Sequence, residues 1–250
     1  MSSAIRTICS SLRIQKPKVC EGIANVFQDD IDFILRNTNL EANEMCAVLL
    51  GLDCARTITP NLNWTLELPV KTVKPFNRAM FENKAVMQVV HLTDIHLDLH
   101  YMPGTLASCG EPLCCRVNNG FSNAVMNKAG LWGDYGKCDS PVITVIHALN
   151  HIKENHPFAD YWLWTGDVGP HDVWNSSRSD VVTHIRVLTH LLQRHTTVPI
   201  LPVIGNHEAV PANSFPPPEL NDRHSISWLY DTFANEWSNM LPQRAVQSLR

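Results

Sequence analysis

The chain has 250 residues, 44% of them hydrophobic and 18% charged, with a formal net charge of −4 and a sequence pI near 6.3. That composition supports a buried core in one large or two small domains. With no long basic run it excludes an electrostatic nucleic-acid binder, and no stretch reaches the ~18 consecutive apolar residues that a membrane-spanning helix needs.

The opening MSSAIRTICSSLRIQ lacks the continuous apolar core and small-residue cleavage site of a signal peptide. Over residues 18–36, Val19, Ile23, Val26, Phe27, Ile31, Ile34 and Leu35 recur at helical spacing behind Pro17, which suits a first turn. This predicts an amphipathic helix. An Asn-rich turn at Asn37 to Asn39 leads to a second helical segment through Met45, Val48 and Leu49, with Gly51 as a C-cap. Residues 56–85 carry Pro60, Pro69 and Pro75 without helical periodicity and read as an extended linker, in which Trp64, Leu66 and Leu68 alternate as an edge strand would.

From Val86 an α/β pattern begins. A strand over 86–93 runs into a Cys-rich excursion, a helix near 140–154 carries Val142, Val145, Ile146, Leu149 and Ile152, and a strand over 161–165 follows. A helix near 179–195, a strand over 198–204 and a helical segment over 226–240, with Trp228, Leu229, Phe233 and Trp237 on its apolar face, complete the pattern. His147, His151, His184, His190 and His195 fall within these helices and read as surface or packing residues.

Three of the apolar runs end in metal-ligand residues: VVHLTDIH on Asp94 and His96, YWLWTGD on Asp167, and ILPVIGNHE on Asn206 and His207. A parallel sheet sending three strands to one edge gathers these groups into one crevice, where open α/β sheets bind ligands. Asp, His and Asn suit borderline divalent ions such as zinc, iron or manganese. A dinuclear centre needs a bridging carboxylate, for which Asp167 is the candidate, and holds phosphate oxygens while activating water for hydrolysis. Gly166 and Gly205 allow the tight turns that aim the next side chain inward.

Eight cysteines fit an oxidising compartment, and the absence of a C-x-x-C pair among Cys109, Cys114, Cys115 and Cys138 disfavours a zinc knuckle. Adjacent Cys114 and Cys115 are badly placed to bond each other. Asn63-Trp64-Thr65 and Asn175-Ser176-Ser177 are glycosylation sequons, which point to export.

The ordered set D-x-H, G-D, G-N-H-E resembles the calcineurin-like metallophosphoesterase superfamily. DLHYMPGTLASCGEPLCCR from Asp98, GLWGDYGKCD from Gly130, GPHDVW from Gly169, NSFPPP from Asn213 and WLY from Trp228 narrow the resemblance to the acid sphingomyelinases, over roughly residues 8–250. The resemblance implies a metallophosphoesterase sheet sandwich with helices, partial here, preceded by a partial all-α saposin-like domain. The boundaries expected are residues 1–55 for the saposin B-like part, 56–85 for the linker and 86–250 for the amino-terminal part of the phosphoesterase domain.

Residue by residue, it implies that Asp94 and His96 bind one zinc, Asp167 bridges, and Asn206 binds the second. His207 and His171 match the family's two catalytic histidines, which act on the leaving-group oxygen. His171 is read equally as the proton donor or as a residue that orients another. It further implies Cys9–Cys20, Cys109–Cys114 and Cys115–Cys138 bridges, with Cys46 and Cys54 sent to partners upstream. A Cys46–Cys54 bond in a small helical hairpin is the alternative. The family's later His and G-H-x-H are absent, since no histidine follows His224. The chain is therefore expected to be a fragment, cut at both ends, that binds zinc weakly and is inactive by itself.

The activity implied is zinc-dependent hydrolysis of sphingomyelin to ceramide and phosphocholine by a lysosomal or secreted monomer. Its expected partners are sphingomyelin and other membrane lipid met by peripheral contact, with no nucleic acid. Two rivals stand beside it: a related phosphodiesterase acting on nucleotides or other soluble phosphoesters, and a non-catalytic lipid-binding protein.

Overall fold

The computed structural model describes residues 2–50, 65–69, 84–220 and 222–249. Packing divides the chain into two units, Met1–Ile31 with Met87–Arg250, and Asp32–Val86.

The first unit opens with α1 (Ser2–Ser11) and α2 (Pro17–Val26), which pack on each other and are stapled by Cys9–Cys20 with Cα atoms 5.7 Å apart. Pro17 opens α2, where its missing N–H costs nothing. The single helix expected over 18–36 is two helices. α2 closes at Phe27 (φ −93°, ψ 2°) and α3 (Gln28–Asn37) starts afresh. Asp29 and Asp30 fall in the first turn of α3, where carboxylates complement the helix dipole, so they act as a start signal inside what reads as one apolar stripe.

Within the second unit, α4 (Ala42–Leu50) begins where the Glu44 carboxylate accepts the Glu41 N–H at 2.9 Å. Residues 65–69 form no strand, and Leu66 and Leu68 are exposed. The alternation there finds no neighbouring strand to pair with among the described residues. Trp64, Gly51, Asn63 and most of the expected linker lie outside those residues, as do Cys54 and the side chain of Cys46 and hence their pairing.

The α/β part contains β1 (Val89–Leu92), β2 (Leu97–Asp98), β3 (Ser140–Pro141), α5 (Val142–Asn155), β4 (Tyr161–Trp164), α6 (Arg178–His195), β5 (Ile200–Pro202), α7 (Ser227–Glu236) and α8 (Gln243–Ser248). The central sheet is parallel in the order β1-β4-β5, and β2 pairs in parallel with β3. In register, Val90, Trp162 and Ile200 align across the sheet, as do His91, Leu163 and Leu201. Side chains alternate between faces along a strand, so Val90, Leu92, Trp162, Trp164 and Ile200 share one face and Val89, His91, Tyr161, Leu163 and Leu201 the other.

The first face carries the core. Trp162 and Trp164 are buried against Val145 and Leu149 of α5, Ile185, Leu188 and Leu192 of α6, and Leu229 and Phe233 of α7. Trp164 meets Trp237 edge-on at 5.7 Å, an arrangement favoured by the ring quadrupoles. The opposite face is open, with Val89 39% and Leu201 42% exposed. Ser177 caps α6 reciprocally with Asp180: its hydroxyl accepts the Asp180 N–H and the Asp180 carboxylate accepts the Ser177 N–H, as in a capping box.

The excursion between β2 and β3 has little regular structure and is held covalently. Cys109–Cys114 and Cys115–Cys138 are bonded with Cα atoms 5.6 and 5.5 Å apart, so the three bridges that the resemblance implies are present.

Candidate metal centre

The carboxyl ends of β1, β4 and β5 deliver three loops to the same edge of the sheet, and the loops are tied together by backbone hydrogen bonds. The His96 and Leu97 amides donate to the carbonyls of Asp167 and Val168 at 3.0 and 2.7 Å. Gly166 (φ +82°) packs against Gly205 so closely that a Cβ on it would lie 2.3 Å from the Gly205 nitrogen. A Cβ on Gly205 would in turn lie 2.3 Å from Asp167 Oδ1. Gly166 is required both by conformation and by space, Gly205 by space alone.

Asp94, His96 and Asp167 all adopt positive φ, at 51°, 42° and 53°. Left-handed backbone at non-glycine residues is disfavoured by about 1–2 kcal/mol each. Three such residues among the predicted ligands mean that the loops are bent to aim side chains rather than to relax the chain.

The aim converges. One potential ligand atom from each of Asp94, His96 and Asp167 lies within 4.8 Å of the others, and the same holds for His96, His171 and His207. His96 Nδ1 lies 2.8 Å from the Gly169 carbonyl, which as an acceptor fixes the proton on Nδ1 and leaves Nε2 free, 4.0 Å from Asp167 Oδ2. Asn206 Nδ2 donates to Asn213 Oδ1 at 2.8 Å, so the Asn206 carbonyl oxygen faces both carboxylate oxygens of Asp167 at 3.0 and 3.2 Å. Turning the amide over gives N–H bonds to Asp167 but sets oxygen against oxygen at Asn213. A cation among these oxygens removes the conflict without turning the amide. The residues present therefore fit a divalent metal on donor chemistry and on placement alike.

Two histidines border the ligands. The His171 ring lies 3.8 Å from that of His96, and the His207 ring is 4.8 Å from both. Asp139 accepts from the His171 amide and from Nδ1, each at 2.7 Å, and that carboxylate raises the His171 pKa above its ordinary value against the opposing pull of burial. Burial, followed by His96 and His171, lowers the His207 pKa. The two imidazoles are thus driven toward opposite protonation states, the usual division between a proton donor and a neutral partner.

Three supporting residues escape the motif reading. Glu208, 1% exposed, accepts the amides of Asp167, Val168 and Gly205 at 3.2, 2.7 and 2.5 Å and so clasps two of the three loops. It stands in the G-N-H-E string, but nothing in sequence tells that its oxygens turn back to the strand before. Asp139 closes the GLWGDYGKCD string, but nothing in that string tells that its carboxylate meets His171, 32 positions on. Arg116 bridges Asp98 (Nε to Oδ2, 2.8 Å) and Asp172 in a buried triad, fastening the Cys-rich excursion to the loop that carries His171. Opposite charges hold the guanidinium firmly protonated.

The family model for calcineurin-like phosphoesterases matches residues 87–249. The chain belongs to the calcineurin-like phosphoesterase family. Among individual relatives it is 37% identical over 246 residues to human sphingomyelin phosphodiesterase and 35% over 246 residues to the Bos taurus protein of the same name. Those matches cover 97% of the chain and 39% of each relative, so the chain spans about two-fifths of their length. It is also 30% identical over 168 residues to human cyclic GMP-AMP phosphodiesterase, covering 66% of the chain and 34% of that protein. Phosphoesterases of this family use divalent metal, which agrees with the donor set around Asp167.

Proposed function

We propose that this protein is a zinc-dependent sphingomyelin phosphodiesterase, hydrolysing sphingomyelin to ceramide and phosphocholine. One observation carries the reading: ligand-type side chains from the ends of three adjacent parallel strands meet at one edge of the sheet, bordered by two histidines whose pKa values are shifted in opposite directions. Asp94 and His96 would hold one ion, Asp167 would bridge, and Asn206 would give its oxygen to the second. A bound metal pair supplies Lewis acidity to the phosphoryl oxygens and lowers the pKa of the attacking water.

The residues of the chain do the remainder. His96, its Nδ1 committed to Gly169, presents Nε2 inward. His171, whose pKa the Asp139 carboxylate raises, is placed to give a proton to the departing ceramide oxygen, a poor leaving group that needs one. His207, its pKa lowered by burial and its ring 4.8 Å from that of His171, is assigned to the same transfer. Glu208 keeps Asp167 and Gly205 at the spacing that the bridge requires.

Substrate class is supported by the extent of the similarity. The match to sphingomyelin phosphodiesterases covers nearly the whole chain and therefore includes α1 to α4, whereas that to the cyclic GMP-AMP phosphodiesterase covers about two-thirds. We assign α1 to α4 to a saposin-type segment of residues 1–55 that presents lipid to the catalytic part, residues 56–85 to a linker and 86–250 to the phosphoesterase domain. Disulfides and the exposed sequon at Asn175 support a glycosylated lysosomal or secreted protein, with Asn63 as the other acceptor and peripheral membrane contact by a monomer.

The complete gene product, assayed on sphingomyelin in mixed micelles and on a nucleotide diester, is expected to prefer the lipid; preference for the nucleotide overturns the substrate assignment. His207→Ala should lower turnover by about two to four orders of magnitude while metal content, read by elemental analysis, is retained. Unchanged turnover removes His207 from the mechanism.

A further inference from the structure

A cavity of about 470 Å3 opens from Asp94 and His96 and continues along a wall that carries Trp132, Asp134 and Tyr135. Its size falls within the ~300–1,000 Å3 range of small-molecule sites. Both rings are presented rather than packed away: Trp132 is 53% exposed and Tyr135 fully so. Trp132 is nevertheless positioned, because His147 meets its ring edge-on at 5.1 Å and the Thr144 hydroxyl donates to its carbonyl at 2.6 Å.

The charge on this wall has no counterpart. Asp134 Oδ1 accepts the Gly136 amide at 2.7 Å, and among the described residues no lysine, arginine or histidine forms an ion pair with it. Asp139, on the same cavity, differs in pairing with His171 Nδ1 at 2.7 Å. A wall of aromatic faces with one uncompensated carboxylate attracts a cation. It suits one with no N–H groups to satisfy, since a primary ammonium brings three donors and a quaternary ammonium none.

We propose that Trp132, Asp134 and Tyr135 form the subsite for the quaternary ammonium of a choline-type headgroup whose phosphate lies at Asp94 and His96. The assignment rests on the phosphodiesterase reading of the same pocket and adds the group that selects the substrate.

The test compares p-nitrophenyl phosphocholine with bis(p-nitrophenyl) phosphate, both soluble diesters, using the complete gene product and its Trp132→Ala and Asp134→Asn variants. The asparagine keeps an acceptor for the Gly136 amide, so the turn survives while the charge goes. The ratio of kcat/KM on the choline ester to kcat/KM on the other ester should fall about three- to thirtyfold in each variant. An unchanged ratio overturns the subsite. So does a loss confined to sphingomyelin in vesicles with the soluble ratio intact, which assigns the rings to membrane contact instead. Calorimetric titration of choline chloride into the same three proteins needs no turnover: binding should weaken by the same factor, and equal binding overturns the proposal. If the wild-type protein cleaves neither ester yet binds choline through Trp132 and Asp134, the phosphodiesterase reading fails and the subsite stands.

Discussion

Asp139 shows how a single carboxylate separates two neighbouring imidazoles. It accepts twice from His171 and leaves His207 to the depressing influence of burial and of two other rings. Asp139→Asn should therefore lower kcat by about ten- to a hundredfold with KM little changed, because it misorients the donor without touching the ligands. A rise in KM alone would show that Asp139 acts on substrate binding. The residues that meet at the sheet edge were legible in the sequence because each closes an apolar run, a position where Asp, His or Asn has little structural reason to be. Glu208, Asp139 and Arg116 were not, since what defines them is the partner that each finds 18 to 56 positions away. Neither periodicity nor local spacing reports such distances.

Among the elements, α6 carries a buried polar group that the ligand site does not use. His184 is 5% exposed, and its Nδ1 lies 2.7 Å from the Asp180 carbonyl, so the proton sits there and Nε2 is left without a partner. Burial lowers its pKa below the ordinary 6.5. Above that value neither the folded nor the unfolded chain protonates the ring, and it is neutral in its effect. Below it the unfolded chain takes up a proton that the folded chain resists, so stability falls as pH drops from about 6.5 toward the depressed folded value. His184→Leu should remove this component. The gap in melting temperature between wild type and variant should narrow or reverse between pH 7.5 and pH 5.5, and a gap independent of pH would contradict the account. The sequence reading of His184 as an ordinary packing residue describes its place and misses its titration. Element identities were otherwise well announced: each strand of the central sheet lies inside its expected run, and α5, α6 and α7 sit within a few residues of theirs. The helix over 18–36 divided because hydrophobic spacing is blind to a restart signalled by two aspartates, and the alternation at Leu66 and Leu68 made no strand, since a strand needs a neighbour and none among the described residues pairs with it.

At the level of the whole molecule, the amino-terminal segment up to Ile31 is fastened to the α/β part by close contact and by charge. Lys16 and Lys18 reach the buried Glu111 at 3.2 and 2.8 Å, and Asp29 pairs with Arg223 at 3.3 Å. Gly22 lies against the backbone of Trp174, where an added Cβ would stand 2.2 Å from the carbonyl oxygen. In an open helix, glycine to alanine gains up to about 1 kcal/mol. Here the obstructing atom is main chain, so Gly22→Ala should instead lower stability by about 1–3 kcal/mol, measured by urea unfolding, and a gain would show that the contact yields easily. The central sheet has a wider implication. Its residues are apolar on both sides but for His91, much as in parallel sheets shielded twice, yet Val89 and Leu201 meet solvent on the side away from the tryptophans. A surface of this kind is adhesive. In sedimentation experiments these 250 residues by themselves should form larger species as concentration rises, and a lysine at position 201 should keep them dispersed.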